Sequence, residues 1–128
     1  MFRVVYRVRR RRRRASGASV ARYNTHKEAA RALVHAKLAH FAPRYGVIYN
    51  KVFIKNSRSR WGSCSERGNL NFNYRIALLP EALADYVVVH ELCHLIHFNH
   101  GPAFWAEVAR QVPGWRRLRA KLRTLKLS

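Results

Sequence analysis

Residues 80–98 of the chain read PEALADYVVVHELCHLIHF, and this stretch predicts the helix that decides the fold. Pro80 suits the first position of a helix, and Glu81 and Asp85 are favourable near the positively polarised N-terminal end. Apolar side chains cover most of the circumference of this helix. Such a pattern is typical of a helix buried in the middle of a domain.

The same helix carries His90, Glu91 and His94, whose burial is costly unless their polar groups are satisfied. Residues four apart are neighbours on a helix, so His90 and His94 can direct their imidazoles at one metal ion. Glu91 is offset by about 100° around the helix, close enough to reach a metal-bound water without ligating the metal. The spacing therefore predicts the side-chain arrangement of a zinc hydrolase centre.

A third metal ligand must come from His97, His100 or Glu107, since catalytic zinc generally takes three protein ligands. His97 lies roughly 10 Å along the helix axis from His90 if the helix stays regular. His100 stands in the sequence NHGP, which favours helix termination and lets the chain turn back. Glu107 falls on the next predicted helix, PAFWAEVARQV. The pattern favours His100, with Glu107 second, and imidazole ligands favour one Zn²⁺ per chain.

The remaining sequence predicts an α+β fold. THKEAARALVHAKLAHFAPRYG reads as an amphipathic helix with Thr25 as N-cap and Glu28 as its capping-box partner, and Pro43 and Gly46 mark its end. VIYNKVFIKN and NLNFNYRIALL alternate like strands, and SRSRWGSCSERG joins them with Gly62 and Gly68 as turn residues. GWRRLRAKLRTLKLS predicts a basic C-terminal helix.

This pattern predicts a roughly three-stranded antiparallel sheet with an edge near Trp61–Ser65. The face of the N-terminal helix that contacts the core is predicted to contain Ala29, Leu33, Ala36, Leu38 and Phe41. The last strand is predicted to direct Leu70, Phe72, Tyr74 and Ile76 to one side. We predict a basic arm at residues 1–18, beginning with a strand, and one domain at residues 19–128.

The charge of the chain predicts attraction to polyanions. Lys and Arg number 26 against 6 Asp and Glu, a formal net charge of +20. Seven of the eight positions at 7–14 are arginine, which is consistent with either a nucleic-acid-binding arm or a nonspecific basic tail. The C-terminal helix allows two interpretations as well, namely packing with a solvated basic face or a polyanion contact. DNA or RNA bound through the basic termini is thus a predicted partner.

Hydrophobic residues make up 48% of the 128-residue chain, which argues against wholesale disorder. No apolar run approaches the ~20 residues of a membrane span, and the basic start lacks the apolar region of a signal peptide. Cys64 and Cys93 are too few for a disulfide scaffold and are interpreted as reduced core thiols. These features predict a cytoplasmic protein.

The segment SRWGSCSERGNLNFNYRIALLPEALADYVVVHELCHLIHFNHGPAFW resembles the YgjP-like metallohydrolases, which are related to the SprT and WLM groups of zinc peptidases. The resemblance covers about residues 51–107, and it is carried by WGSC, the asparagine-bearing strand, YVVVHELCHL and NHGPAFW. It implies a small zincin-like domain, zinc held by His90, His94 and His100, and Glu91 as general base. Gly101 stands where relatives often have serine, and the family's strand-rich N-terminal portion is short here.

Together these patterns predict a metallopeptidase that cleaves peptide or protein substrates. Binding of DNA or RNA through the basic termini is a separate prediction. The developing oxyanion needs a second electrophile, and the candidates are Tyr74, Arg75, Arg58 and Arg60. One alternative is a zinc-dependent nucleotide hydrolase, in which these arginines would neutralise phosphate. Another is a noncatalytic nucleic-acid-binding module with structural zinc, which would require four protein ligands.

Overall fold

Four α-helices, one 3-10 helix and three short strands form the part of the chain that the computed structural model describes, residues 16–127. In chain order they are α1 (Gly17–Tyr45), β1 (Val52–Lys55), β2 (Gly62–Cys64), β3 (Leu70–Asn73), the 3-10 helix (Tyr74–Leu78), α2 (Glu81–Cys93), α3 (Pro102–Gln111) and α4 (Trp115–Arg123). The α+β prediction is confirmed. The predicted N-terminal strand and the arginine run at 7–14 lie outside the described residues, and the division at residue 18 stays a prediction.

Helix α1 begins nine residues before the predicted start. Ser16 is its N-cap, and the hydroxyl oxygen of Ser16 accepts a hydrogen bond from the Ser19 N–H at 3.0 Å. Thr25 lies inside the helix, where its hydroxyl donates to the Ala21 carbonyl at 2.9 Å. The N-cap prediction at Thr25 is therefore wrong, because the residues before it continue the helix back to another good capping residue.

The C-terminal end of α1 agrees with the prediction, since Gly46 caps it with φ 62°, although Pro43 lies within the last turn. Its buried face is rotated from the predicted one, because Ala29 and Ala36 are exposed. The buried apolar residues are Ala30, Val34, Leu38, Phe41, Ala42 and Tyr45. Two neighbouring apolar stripes were available, and packing against α2 and the 3-10 helix selects one of them.

The sheet is mixed and has the strand order β1-β3-β2. β1 pairs with β3 in parallel, whereas β2 pairs with β3 antiparallel, so the fully antiparallel prediction is wrong. Within the described strands β2 lies at an edge of the sheet, which agrees with the edge predicted near Trp61–Ser65. β3 is shorter than predicted and ends at Asn73, whose side-chain oxygen accepts the Arg75 N–H at 3.0 Å and caps the 3-10 helix.

Helix α2 forms the centre of the domain, as predicted, and packs against α1, β2, α3 and α4. Pro80 is the N-cap residue of α2, whereas the sequence predicted it at the first helical position. All residues from Tyr86 to Cys93 are buried. In the described part of the chain, no helix combines the length and apolar character needed to cross a membrane.

Candidate metal centre

Two histidines of the candidate metal centre lie at the C-terminal end of α2. The helix ends at Cys93, five residues before the predicted end, and His94 is its C-cap. His90 and His94 are 1% and 0% exposed, and their ring centroids are 4.8 Å apart. The predicted pairing of these two imidazoles on one helix face is therefore present in the structure.

The chain after α2 turns back and brings His100 to the same place. His94 Nε2 and His100 Nε2 are 2.9 Å apart, and one ring nitrogen from each of His90, His94 and His100 lies within 4.8 Å of the others. Phe104 of α3 contacts all three rings, with centroid distances of 5.0, 4.4 and 4.9 Å. Its burial beneath the cluster holds the imidazoles in a fixed arrangement.

His97 supports the cluster through its backbone. The main-chain carbonyl of His97 lies 3.0 Å from His94 Nδ1. A carbonyl only accepts hydrogen bonds, so this contact places a proton on Nδ1 and leaves the Nε2 lone pair of His94 directed at the other imidazoles. Second contacts of this kind orient histidines that bind metals.

Glu107, the other alternative third ligand, is engaged elsewhere. Its carboxylate accepts a hydrogen bond from Arg110 Nη1 at 2.6 Å, and its backbone carbonyl accepts one from the Tyr45 hydroxyl at 2.6 Å. The hydrogen bond from Tyr45 holds α3 against α1, and the one from Arg110 lies within α3. The structure thus brings His100, but neither the Glu107 carboxylate nor the His97 side chain, into the group with His90 and His94.

Glu91 lies next to the histidines with its side chain completely buried. Its Oε2 is 3.4 Å from His90 Nδ1. Among residues 16–127, no group forms a hydrogen bond to either carboxylate oxygen of Glu91. Burial raises the pKa of Glu91 well above its usual value, because the charged form loses its hydration.

Gly62 makes a close approach to Glu91 that the sequence analysis missed. A β-carbon at Gly62 would lie 3.2 Å from both Cγ and Oε2 of Glu91, and 3.1 Å from the backbone oxygen of Asn71. Gly62 is the first residue of β2 rather than a turn residue, whereas Gly68 does form a turn with φ 81°. The glycine of the WGSC sequence was the available signal, since glycine inside a strand often marks a close approach.

The donor set fits a zinc ion. Zn–N bonds of about 2.0–2.1 Å in a tetrahedral arrangement separate ligand nitrogens by about 3.3 Å, which the three imidazoles can reach by shifts of about 1 Å. Within the described residues, no fourth His, Cys or carboxylate side chain joins the group. Three nitrogen ligands and a buried carboxylate that lacks a hydrogen bond are the donor chemistry of a hydrolytic metal site.

The four predicted electrophiles are placed on the sheet side of the domain. Tyr74 is buried, and its ring contacts those of Tyr23 and His26 on α1, with ring centroids 5.7 and 6.2 Å away. Arg75 donates to the Ser57 carbonyl at 3.0 Å, and its guanidinium also lies 4.5 Å from the Tyr74 ring centroid. Tyr74 therefore packs against α1, and Arg75 holds the loop before β2 in place. The other two candidates, Arg58 and Arg60, are half-buried in that loop.

Comparison with known proteins agrees with this geometry. The family model described as YgjP-like, metallopeptidase domain, matches residues 4–125. This chain belongs to the YgjP-like family. The YgjP-like chain is also similar to a solved structure, the metallopeptidase zymogen of Pyrococcus abyssi abylysin, with 26% sequence identity and a TM-score of 0.65. That match covers 71% of this chain and 92% of the abylysin chain. No curated protein matches the chain.

Membership of this family makes the chain a metallopeptidase domain and implies that it uses a metal. In the described residues, the side chains of His90, His94 and His100 form a group that could hold a metal ion and so fits this requirement.

Proposed function

We propose that this YgjP-like chain is a zinc-dependent peptidase in which His90, His94 and His100 hold one zinc ion and Glu91 is the general base. The observation that carries the proposal is the convergence of three imidazoles beside a fully buried carboxylate. The family match and the likeness to abylysin support peptide bonds as the target.

Bound zinc would polarise the scissile carbonyl and lower the pKa of a coordinated water. Glu91 accepts a proton from the attacking water and delivers it to the leaving amine. Burial, which raises the pKa of Glu91, makes its carboxylate a stronger proton acceptor. The His97 carbonyl keeps His94 in the tautomer whose Nε2 can bind the metal.

The substrate is proposed to lie along β2. Among the strands of residues 16–127 this one lies at an edge of the sheet, and an extended peptide can add to such an edge through main-chain hydrogen bonds. β2 packs against α2, and its Gly62 lies against Glu91, so a peptide on this edge passes close to the general base. Arg58 and Arg60, in the loop leading to β2, are the proposed contacts for substrate or oxyanion.

Three histidines without a fourth protein ligand in residues 16–127 support a catalytic rather than a structural zinc. Nucleotide hydrolysis would require the candidate arginines to neutralise phosphate. Arg75, one of them, instead donates a hydrogen bond to the Ser57 carbonyl in the loop before β2. Peptide hydrolysis is therefore the function that the geometry supports best.

The first test measures zinc content by mass spectrometry together with hydrolysis of peptides and of nucleoside triphosphates. We expect one zinc per chain in the wild type and loss of most of it in His100→Ala. Glu91→Gln should keep the zinc, while peptide turnover falls by about 10²–10⁴-fold.

Two matched variants make this test specific. His97→Ala keeps the backbone carbonyl that contacts His94, and Glu107→Gln changes the alternative carboxylate, so both should retain zinc. Full zinc occupancy in His100→Ala would contradict the ligand assignment. Turnover of nucleoside triphosphates without peptide cleavage would contradict the proposed substrate class.

A further inference from the structure

Helix α4 presents a strongly cationic face to solvent. Arg116, Arg117 and Lys121 are exposed, and at about 100° per residue they lie within roughly 140° of one another around the helix. After Glu107 the sequence contains seven Lys and Arg and no acidic residue up to its last position. We call the surface formed by Arg116, Arg117 and Lys121 the α4 basic face.

The acidic residues of the domain are used elsewhere. The pairs are Glu28 with Arg31 at 3.4 Å, Glu81 and Asp85 with Lys37, and Glu107 with Arg110 at 2.6 Å, while Glu91 is buried. Five of the six acidic groups of the chain are thereby accounted for away from α4. The α4 basic face is therefore a region of positive potential, which attracts polyanions.

The position of Arg116 and Arg117 is unfavourable for the isolated helix. Both lie in the first turn of α4, which contains no acidic residue. The N-terminal end of a helix carries partial positive charge, so cations there destabilise it. A bound anion would remove this penalty, because it would interact favourably with both the helix end and the two guanidinium groups.

The apolar side of α4 distinguishes nucleic acid from a membrane surface as the partner. Leu122 is fully buried, and Leu118 and Leu125 pack against the core. A helix that binds a membrane surface inserts its apolar face among the lipids. This face is already occupied by the protein core, which leaves only the charged side for a partner.

Aromatic contacts connect the α4 basic face to the metal centre. His100 stacks on Trp105 with centroids 5.6 Å apart, and Trp105 stacks on Trp115 at 4.1 Å. The guanidinium of Arg116 lies 5.2 Å from the Trp115 ring centroid. The basic face thus begins two aromatic rings away from one histidine of the cluster.

We propose that the α4 basic face binds the phosphate backbone of nucleic acid at the rim of the metal centre. Charge-assisted hydrogen bonds from arginine to phosphate, with release of counterions, drive this binding. The contact is independent of base sequence, since phosphates carry no sequence information. The proposal concerns binding alone and does not depend on the peptidase chemistry.

The test is fluorescence anisotropy of a labelled single-stranded oligonucleotide and of its duplex, titrated with the full chain at a series of salt concentrations. Arg116→Gln, Arg117→Gln and Lys121→Gln are combined in one variant. We expect the slope of log affinity against log salt concentration to become shallower by about two to three units in this variant. The dissociation constant should rise about tenfold or more.

A matched variant combines Lys51→Gln, Lys55→Gln and Arg67→Gln, which removes the same charge from exposed residues outside α4. It should retain most of the affinity. The pair Arg116→Lys and Arg117→Lys, which keeps the charge, should bind within about threefold of the wild type. It also shows whether a loss in the glutamine variant reflects charge rather than misfolding.

Equal losses in the two glutamine variants would overturn the proposal, because binding would then follow net charge and not the α4 basic face. An equal loss in the lysine pair would overturn it as well. Vesicles containing phosphatidylglycerol provide the last arm: binding to these vesicles that depends on α4, without binding to oligonucleotides, would make a membrane the partner.

Discussion

Gly62 lies so close to Glu91 that a β-carbon there would be 3.2 Å from both Cγ and Oε2 of Glu91. The backbone oxygen of Asn71 on the paired strand would be 3.1 Å away, so a larger residue must shift the Glu91 side chain by a few tenths of an ångström. We predict that Gly62→Ala lowers kcat/KM for a peptide by up to about 10-fold, because a displacement of about 1 Å costs about 10²-fold and the shift needed here is a few tenths of an ångström. Zinc content should be unchanged, because the three histidines are not touched.

Gly114→Ala is the control for this prediction, since a β-carbon at Gly114 has nothing within 4 Å. Steady-state kinetics and metal analysis of both variants provide the measurement. Wild-type turnover in Gly62→Ala would mean that Glu91 can move without loss of activity.

The two thiols are a second case in which burial determines chemistry. Cys64 and Cys93 are free and 1% and 0% exposed, and burial raises the pKa of each thiol to about 12. Since only the thiolate is nucleophilic, we predict that neither reacts with a disulfide reagent in the native protein at pH 8. Both should react after denaturation. Rapid labelling of the native chain would contradict the buried positions.

The loop between β1 and β2 is held by the end of β3. Asn73 is buried, and its side-chain nitrogen donates to the carbonyls of Ser57 at 2.6 Å and Arg60 at 2.9 Å. Its oxygen accepts the Arg75 N–H. This one side chain therefore joins three elements and sets the approach of the loop to β2.

We predict that Asn73→Ala lowers the free energy of unfolding by about 1–3 kcal/mol, because it leaves these backbone groups without their partner. Urea denaturation followed by circular dichroism measures the change. Asn24→Ala, at an exposed position of α1, is the comparison and should alter stability by less than about 0.5 kcal/mol. Equal stability of the two variants would show that the loop finds other partners.

For the whole molecule, buried weak acids predict loss of stability in alkali. Burial raises the pKa of Cys64, Cys93 and Tyr45 in the folded chain. A raised folded-state pKa means that the unfolded state releases its protons first as the pH rises. The stability is thus fully present below the unfolded pKa, which is 9.0 for the thiols, and declines above it.

We expect the free energy of unfolding to fall between pH 9 and 12 by about 1 kcal/mol per pH unit for each thiol. Urea titrations across this range measure the slope. Cys64→Ala should make the slope shallower by the contribution of one thiol. An unchanged slope in that variant would assign the alkaline sensitivity to other groups.

Sequence patterns predicted the bounds of helices and strands most reliably where the interactions that decide them are local. The C-cap at Gly46, the extent of α3 and the start of α4 follow from helix periodicity and end signals, whereas α4 ends at Arg123, before the end of its predicted segment. The predictions failed at Thr25, where a good capping residue lies inside a longer helix, and beyond Asn73, where strand alternation continues into a 3-10 helix. In both cases local propensity allowed two structures, and packing selected one.

The sequence by itself determined that His90, Glu91 and His94 share a buried central helix, because their spacing and the surrounding apolar residues act within a few turns of one chain segment. Only the tertiary structure decided the mixed strand pairing and the contact of Gly62 with Glu91. It also brought His100, rather than the side chains of His97 or Glu107, next to His90 and His94. These features depend on segments distant in sequence. Their stability comes from packing between those segments, which no local sequence pattern encodes.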